Sequence, residues 1–277
     1  MNRLLLLGLL GPLPLAAQES RPASLPREFL QRVATAHRGP KAPARIDGFL
    51  AEVETTSLVK GSVTITLKVR FAAPELLRYE VKEAGKKKER GLDAQGVPWT
   101  RIGTQVYDLR EARSDEELLE LERHTRLCGQ LLRLLEPARV LADLVVAGAP
   151  EPARFAQNAE QKDVPCTRVR GRAASFPLFH VRDDGPAAPA DLELYFAEAT
   201  GLLIGVVATP LGSDGRPRGE RETIALMGHE PRSGIALPEV LVLYTTGKQG
   251  LEPLLEVRMN GIELNPRQSP RDFARPQ

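Results

Sequence analysis

The sequence predicts an α+β protein in which helices cover the concave face of a curved antiparallel sheet of about ten strands. Three observations predict it. Apolar and polar residues alternate with period two, most cleanly where Val63, Ile65, Leu67 and Val69 interleave with Thr64, Thr66, Lys68 and Arg70. From Ala153 onward such runs recur about every ten residues with turn residues between them, as in an antiparallel meander. Between these two regions the apolar period lengthens to between three and four, the mark of amphipathic helices.

The elements follow in order. Arg3 and the apolar run Leu4–Leu15, broken by Gly8, Gly11, Pro12 and Pro14, have the shape of an export signal. The run is too short to span a membrane, which takes about 20 apolar residues. Ala16 and Ala17 place cleavage after residue 17, and no cysteine follows closely enough to be acylated, so the mature chain is expected to be a soluble periplasmic protein. Residues 18–26 read as a flexible leader, and residues 27–277 as one domain, since no stretch of linker composition divides them. A first helix fits Arg27–His37, with Phe29, Leu30, Val33 and Ala34 on one face and Gly39-Pro40 stopping it. Ile46–Glu54, Ser62–Arg70 and Leu77–Val81 read as strands. Glu83–Arg90, containing Lys86, Lys87 and Lys88, reads as a solvated turn. Two short strands are expected at Val97–Ile102 and Val106–Leu109.

Ser114 and Glu117 have capping-box spacing at the start of a long helix. Its stripe of Leu118, Leu121, Thr125, Cys128, Leu132 and Leu135 is widened by Leu119, Leu127, Leu131 and Leu134. Pro137 opens a second helix expected to run to about Val146, with Leu144 on its apolar side. Strands are then expected at Ala153–Gln157, Val164–Arg170, Pro177–Arg182, Asp191–Ala197, Leu202–Thr209, Glu222–Met227, Val240–Tyr244 and Leu254–Met259.

Composition excludes several classes of function. Of 277 residues, 38 are basic and 36 acidic, which is too balanced for a surface that tracks phosphates by net charge. Aromatics at 5% supply few rings for stacking on bases, so nucleic acid is not an expected partner. A chain this long buries roughly 70–75% of its unfolded surface, so it needs neither metal nor disulfide for stability. Cys128 and Cys166, the two cysteines, could join in an oxidising compartment; equally, Cys128 could be a small buried hydrophobe.

Enzyme signatures are lacking. His37, His124, His180 and His229 stand singly, with His124 expected in solvent beside Glu120 and Glu122, and His229-Glu230 in a turn before Pro231. Asp183-Asp184-Gly185 lacks the calcium-loop spacing and reads as a hairpin turn. No nucleophile elbow, P-loop or dinucleotide fingerprint occurs in the mature chain, and no cofactor is implied. An enzyme would require groups such as His180, Asp183, His229 and Glu230 to converge from separate segments.

Several ordered segments carry a family resemblance: Leu194-Tyr195-Phe196 with Thr200-Gly201-Leu202-Leu203; Gly234 with Leu237-Pro238; Asn265-Pro266 with Phe273; and, early on, Gly61, Leu67, Pro74 and Leu77-Arg78-Tyr79. In this order they resemble the LolA-like family of exported lipoprotein carriers. The resemblance implies an unclosed half-barrel with helices as a lid over an apolar cavity, and no catalysis. In the carrier itself a functional arginine precedes the proline matched by Pro74; here that residue is Ala73, so the role does not transfer. A cavity between sheet and helices would be lined from Trp99, Tyr107, Leu118, Leu121, Leu131, Leu132, Leu135, Leu144, Phe179, Tyr195 and Tyr244. Its occupant would be a lipid or lipoprotein acyl chain. The alternative is an envelope sensor that binds another envelope protein and has a packed interior with no ligand.

Overall fold

The structure is a computed structural model that describes residues 24–58, 63–83, 86–111, 115–157, 163–178, 188–247 and 250–276. The expected export signal, most of the leader, Ser114 of the capping box, Phe179, His180 and Asp183-Asp184-Gly185 lie outside the described residues. Helix α1 is Arg27–His37, α2 is Asp115–Leu134 and α3 is Pro137–Ala142. The strands before α2 are β1 (Gly48–Ser57), β2 (Val63–Ala72), β3 (Leu76–Glu83), β4 (Lys86–Leu92), β5 (Pro98–Ile102) and β6 (Gln105–Asp108). After α3 come β7 (Leu144–Val146), β8 (Glu151–Phe155), β9 (Val164–Phe176), β10 (Ala188–Ala197) and β11 (Leu203–Pro210). The last three are β12 (Glu222–Arg232), β13 (Ile235–Gly247) and β14 (Gly250–Leu264).

All fourteen strands join one open antiparallel sheet in the order β6-β5-β4-β3-β2-β1-β14-β13-β12-β11-β10-β9-β7, with β8 also pairing β9. The sheet is thus larger than the ten strands expected. The central pairing of β1 with β14 unites the two ends of the chain, a contact that no local pattern announces. A flat sheet of this many strands would be roughly 60 Å across at about 4.8 Å per strand, whereas α2 is about 30 Å long. Even so, α2 touches β3 and β4 through His124 and Glu117, and β12 through Gln130. The sheet therefore curls around the helix. Register shifts at Glu52/Val53, Tyr195/Phe196 and Leu243/Tyr244 mark bulges, which bend strands and increase their twist.

Alternation divides the side chains between two faces. The inner face carries Phe49, Leu67, Phe71, Leu77, Tyr79, Leu194, Phe196, Ile224, Leu241 and Met259, packed with Leu121, Leu131 and Leu135 into one core. The outer face carries a smaller cluster of Phe155, Cys166, Tyr195, Ile204, Val207, Val242 and Tyr244. Phe155 lies against Gly205 so closely that an added Cβ would come within 2.2 Å of its ring. Cys128 belongs to the inner core and Cys166 to the outer cluster, and both are free, so the disulfide that the sequence allowed is not made. Burial pushes both thiols up.

Three expectations are corrected. Residues 86–92 form strand β4 rather than a solvated turn. The charges of this run are met across the sheet: Lys87 bridges Glu80 at 2.9 Å, and buried Glu89 takes Arg78 at 3.0 Å, Lys87 at 3.3 Å and Arg101. The second helix ends at Ala142, and Leu144–Val146 instead pair with β9, where Gly171 leaves room for Leu144. His229 lies within β12 rather than in a turn.

The N-terminal helix docks through Phe29, Val33 and His37, with Phe29 edge-on to Phe196 at 5.4 Å. His37 donates from Nδ1 to the Val33 carbonyl at 2.8 Å, and its Nε2 accepts the Leu203 N–H at 2.9 Å. That pattern holds only for the neutral ring, and burial keeps the His37 pKa below its ordinary value. Burial, with His37 nearby, pushes His229 down to about 4.

Two predictions follow from this packing. Gly205→Ala is expected to destabilise the chain by about 1–3 kcal/mol through collision with Phe155, measured by urea unfolding; an unchanged midpoint would contradict the contact. The two histidines bind fewer protons folded than unfolded, so their contribution is complete above the unfolded value of 6.5 and drains away as pH falls toward 4. Melting temperature should therefore drop across that window, and His37→Gln should flatten the drop.

Candidate functional site

Among the described residues, three cavities lie along the flanks of α2, and a further, shallow one lies beside α1 at Gln31, Thr35 and Thr200. Helix α2 is anchored by Arg90, whose side chain is 3% exposed on the inner face of β4. Its guanidinium donates to Glu117 at 2.6 Å, to Glu120, and to the Tyr79 hydroxyl at 3.3 Å. Glu117 and Glu120 stand one turn apart, so a single cation holds both. Burial of the Tyr79 hydroxyl beside Glu120 pushes its pKa up and keeps it protonated. His124, one turn further, stacks on the Tyr79 ring at 4.7 Å and donates from Nδ1 to the Glu120 carbonyl, 2.8 Å away. It is half-buried, not in solvent as expected, and burial lowers its pKa.

Two cavities adjoin on one flank of α2, sharing Glu75 and Thr125. The first, about 450 Å³, lies between the C-terminal half of α2 and the β2–β3 turn. Its walls are Ile46, Phe71, Pro74, Leu132 and Pro177, with Arg45, Arg133, Arg139 and Glu136 at its margin. The second, about 510 Å³, lies along the N-terminal half and is walled by Leu92, Pro98, Leu118 and Leu121, with Arg110, Arg126 and Glu122. On the other flank a cavity of about 290 Å³ is lined by Val63, Ile65, Leu127 and Leu255 beside Thr55 and His124. Both of the adjoining cavities thus combine apolar side chains with several charged ones.

The marginal arginines are mostly committed. Arg133 bridges Asp143 at 3.1 Å, Arg139 bridges Glu136 at 3.5 Å, Arg45 bridges Asp47, and Arg110 donates to the Gly96 carbonyl at 2.9 Å. Glu136, almost fully buried, is also held by Arg38 at 3.2 Å. Among the described residues, no group of three or more His, Cys, Asp or Glu side chains could hold a metal ion. No described helix is long and apolar enough to cross a membrane, which leaves strands aside.

The residues expected to line a cavity are dispersed. Leu118 and Leu121 line the second cavity and Leu132 the first. Leu131, Leu135 and Leu144 are buried in the inner core. Trp99, Tyr195 and Tyr244 lie on the outer face, because each pairs in register with outward residues: Trp99 with Gly91, Tyr195 with Arg168 and Tyr244 with Thr223 (or, beyond the bulge, Pro253). Trp99 is a clamp for the C-terminal segment. Its Nε1–H donates to the Phe273 carbonyl at 3.1 Å, while Asp272 bridges Arg70 at 3.0 Å. Tyr107 sits exposed on edge strand β6. The motif residue Asn265 fastens the start of β1, accepting the Asp47 N–H at 2.7 Å and donating to the Arg45 carbonyl.

Arg126, Arg110 and Glu75 line the second cavity but were missed by sequence reasoning. Glu122, Arg126 and Gln130 repeat every four residues, which in sequence looks like an ordinary solvated ion-pair face. No local signal reveals that Arg126 and Gln130 are buried.

The resemblance read from the sequence is met among solved structures. The chain is similar to a LolA superfamily protein from Nitrosomonas europaea, with 12% identity, 91% of this chain and 99% of that chain covered, and a TM-score of 0.42. It is similar to a DUF1329 family protein from Desulfovibrio piger, at 10% identity, 89% and 95% coverage and a TM-score of 0.47. A third is a putative outer membrane lipoprotein-sorting protein domain from Vibrio parahaemolyticus, at 10% identity, 89% and 94% coverage and a TM-score of 0.41. No family model matches the chain, and no curated protein matches it. Likenesses this distant decide nothing about ligand or partner.

Arg90→Ala is expected to lower unfolding free energy by about 2–4 kcal/mol, since it removes a buried cation and leaves a void under α2. A double-mutant cycle with Glu117→Gln, read by urea unfolding, should show positive coupling; strict additivity would mean that the pair does not anchor the helix.

Proposed function

We propose that this chain is an exported, non-catalytic binding protein that takes an amphiphile, such as the acyl chain of a lipid or lipoprotein, against α2. The observation that carries this reading is the pair of adjoining cavities that share Glu75 and Thr125. Each falls within the roughly 300–1,000 Å³ of small-molecule sites, and each is lined by apolar and charged side chains together. The export signal read at residues 1–17 supports a periplasmic setting, where acyl chains need shelter from water. The common inner core supports reading residues 27–277 as one domain. A second reading, an envelope interaction protein without ligand, is favoured by the near-complete burial of Leu121, Leu131 and Leu135, which pack into the core between sheet and helix.

Native mass spectrometry of the protein purified from its own envelope is expected to show a retained amphiphile. Leu118→Trp, filling the second cavity, should weaken uptake of a fluorescent fatty acid by about tenfold while the melting temperature stays near that of the parent. A bare mass together with no saturable uptake would sink the carrier reading in favour of the second.

A further inference from the structure

Arg126 stands out within the second cavity because its burial lacks a matching partner. Its side chain is 4% exposed, its Nε–H makes no hydrogen bond, and its ion pair with Glu122 is long, at 3.7 Å. Glu122 is 56% exposed, so water screens much of that attraction. Glu222 lies near enough to act on Arg126 through its charge, but it accepts the hydrogen bond of Gln130 at 2.9 Å. Arg90, just as buried, shows the contrast: two carboxylates sit within bonding distance of its guanidinium. A guanidinium keeps its proton and offers five N–H donors in a planar fork that matches an oxyanion.

The surroundings of Arg126 define what could meet it. It lines the cavity with Leu92, Leu118 and Leu121, and Arg110 contributes a second guanidinium. Glu75 and Glu122 also line it, so the charge of the lining is balanced rather than strongly positive, and inorganic anions gain little from the field alone. A ligand with an apolar chain is held by the leucines and brings its oxyanion to the unmet donors.

We propose that Arg126 is the head-group residue of this cavity, forking the carboxylate or phosphate of a single-chain amphiphile whose tail lies along Leu118 and Leu121. The proposal rests on the reading that the cavities beside α2 hold amphiphiles. Displacement of the neutral fluorescent probe 1-aminoanthracene from the full mature chain tests it with dodecanoate, dodecyl phosphate, dodecanol and inorganic phosphate as competitors. Dodecanoate or dodecyl phosphate should compete at least about tenfold better than dodecanol, the worth of a charge-assisted hydrogen bond. Arg126→Met, close in length and without charge, should erase that preference and leave dodecanol competition unchanged, and Arg126→Lys should restore part of it. If the Met variant does not fold, the comparison of anion with alcohol on the parent protein still decides.

Equal competition by dodecanol and the anions, or an Arg126→Met variant that keeps the preference, overturns the head-group role and leaves the carrier reading standing. Inorganic phosphate competing as well as dodecyl phosphate overturns the amphiphile and points to a free anion. A parent protein that neither takes up the probe nor binds any of the chains overturns both readings.

Discussion

The placement of α2 depends on one buried cation. Arg90 projects from the inner face of β4 and is almost fully buried, and such a charge is tolerable only when paired and hydrogen-bonded. Glu117 and Glu120 supply the pairing from a single turn of the helix, and the Tyr79 hydroxyl supplies a further acceptor. This contact fixes which end of α2 meets β4. The rest of the twenty-residue helix then carries Gln130 to Glu222 on the far side of the sheet. Apolar packing contributes most of the stability, but it is non-directional. The Arg90 contact selects the helix orientation that the leucines alone would leave open.

An open fourteen-stranded sheet has two faces and two edges to account for. The inner face is covered by the helices. The outer face is covered piecemeal: near one end the C-terminal segment lays Phe273 and Asp272 over β2–β5, and near the other Phe155 folds onto Gly205. Short strands β6, β7 and β8 finish the edges, as expected where long bare edges would invite pairing with other chains. Space is left at the margins of α2, where a straight helix cannot follow a curved, twisted sheet, and there leucines of the helix and charged side chains line the same cavities.

The type and order of most elements were legible in the sequence. Strict alternation at 63–70, the leucine stripe from 118 to 135 and the turn residues of the C-terminal meander are local patterns, and each is set by the geometry of a single strand or helix. Errors arose where neighbours across the sheet decided the outcome. Lys87 looked solvated because Glu80, on β3, becomes its partner only once β3 and β4 pair. Leu144–Val146 looked helical because the groove at Gly171 belongs to a strand more than twenty residues away.

The sequence by itself determined that the chain is a set of antiparallel strands interrupted by a leucine-rich helix, since periods of two and 3.6 are properties of the backbone alone. Only the tertiary structure decided which half of each alternating strand faces α2. Alternation is symmetric under exchange of the two faces, so Trp99, Tyr195 and Tyr244, chosen as cavity residues, fell on the outer side, while Leu118, Leu121 and Leu132 met the open space. The same limit hid Arg126. A charged residue at helical spacing from Glu122 looks solvated until the sheet closes over it, and burial is a property of the partners brought together rather than of the residue.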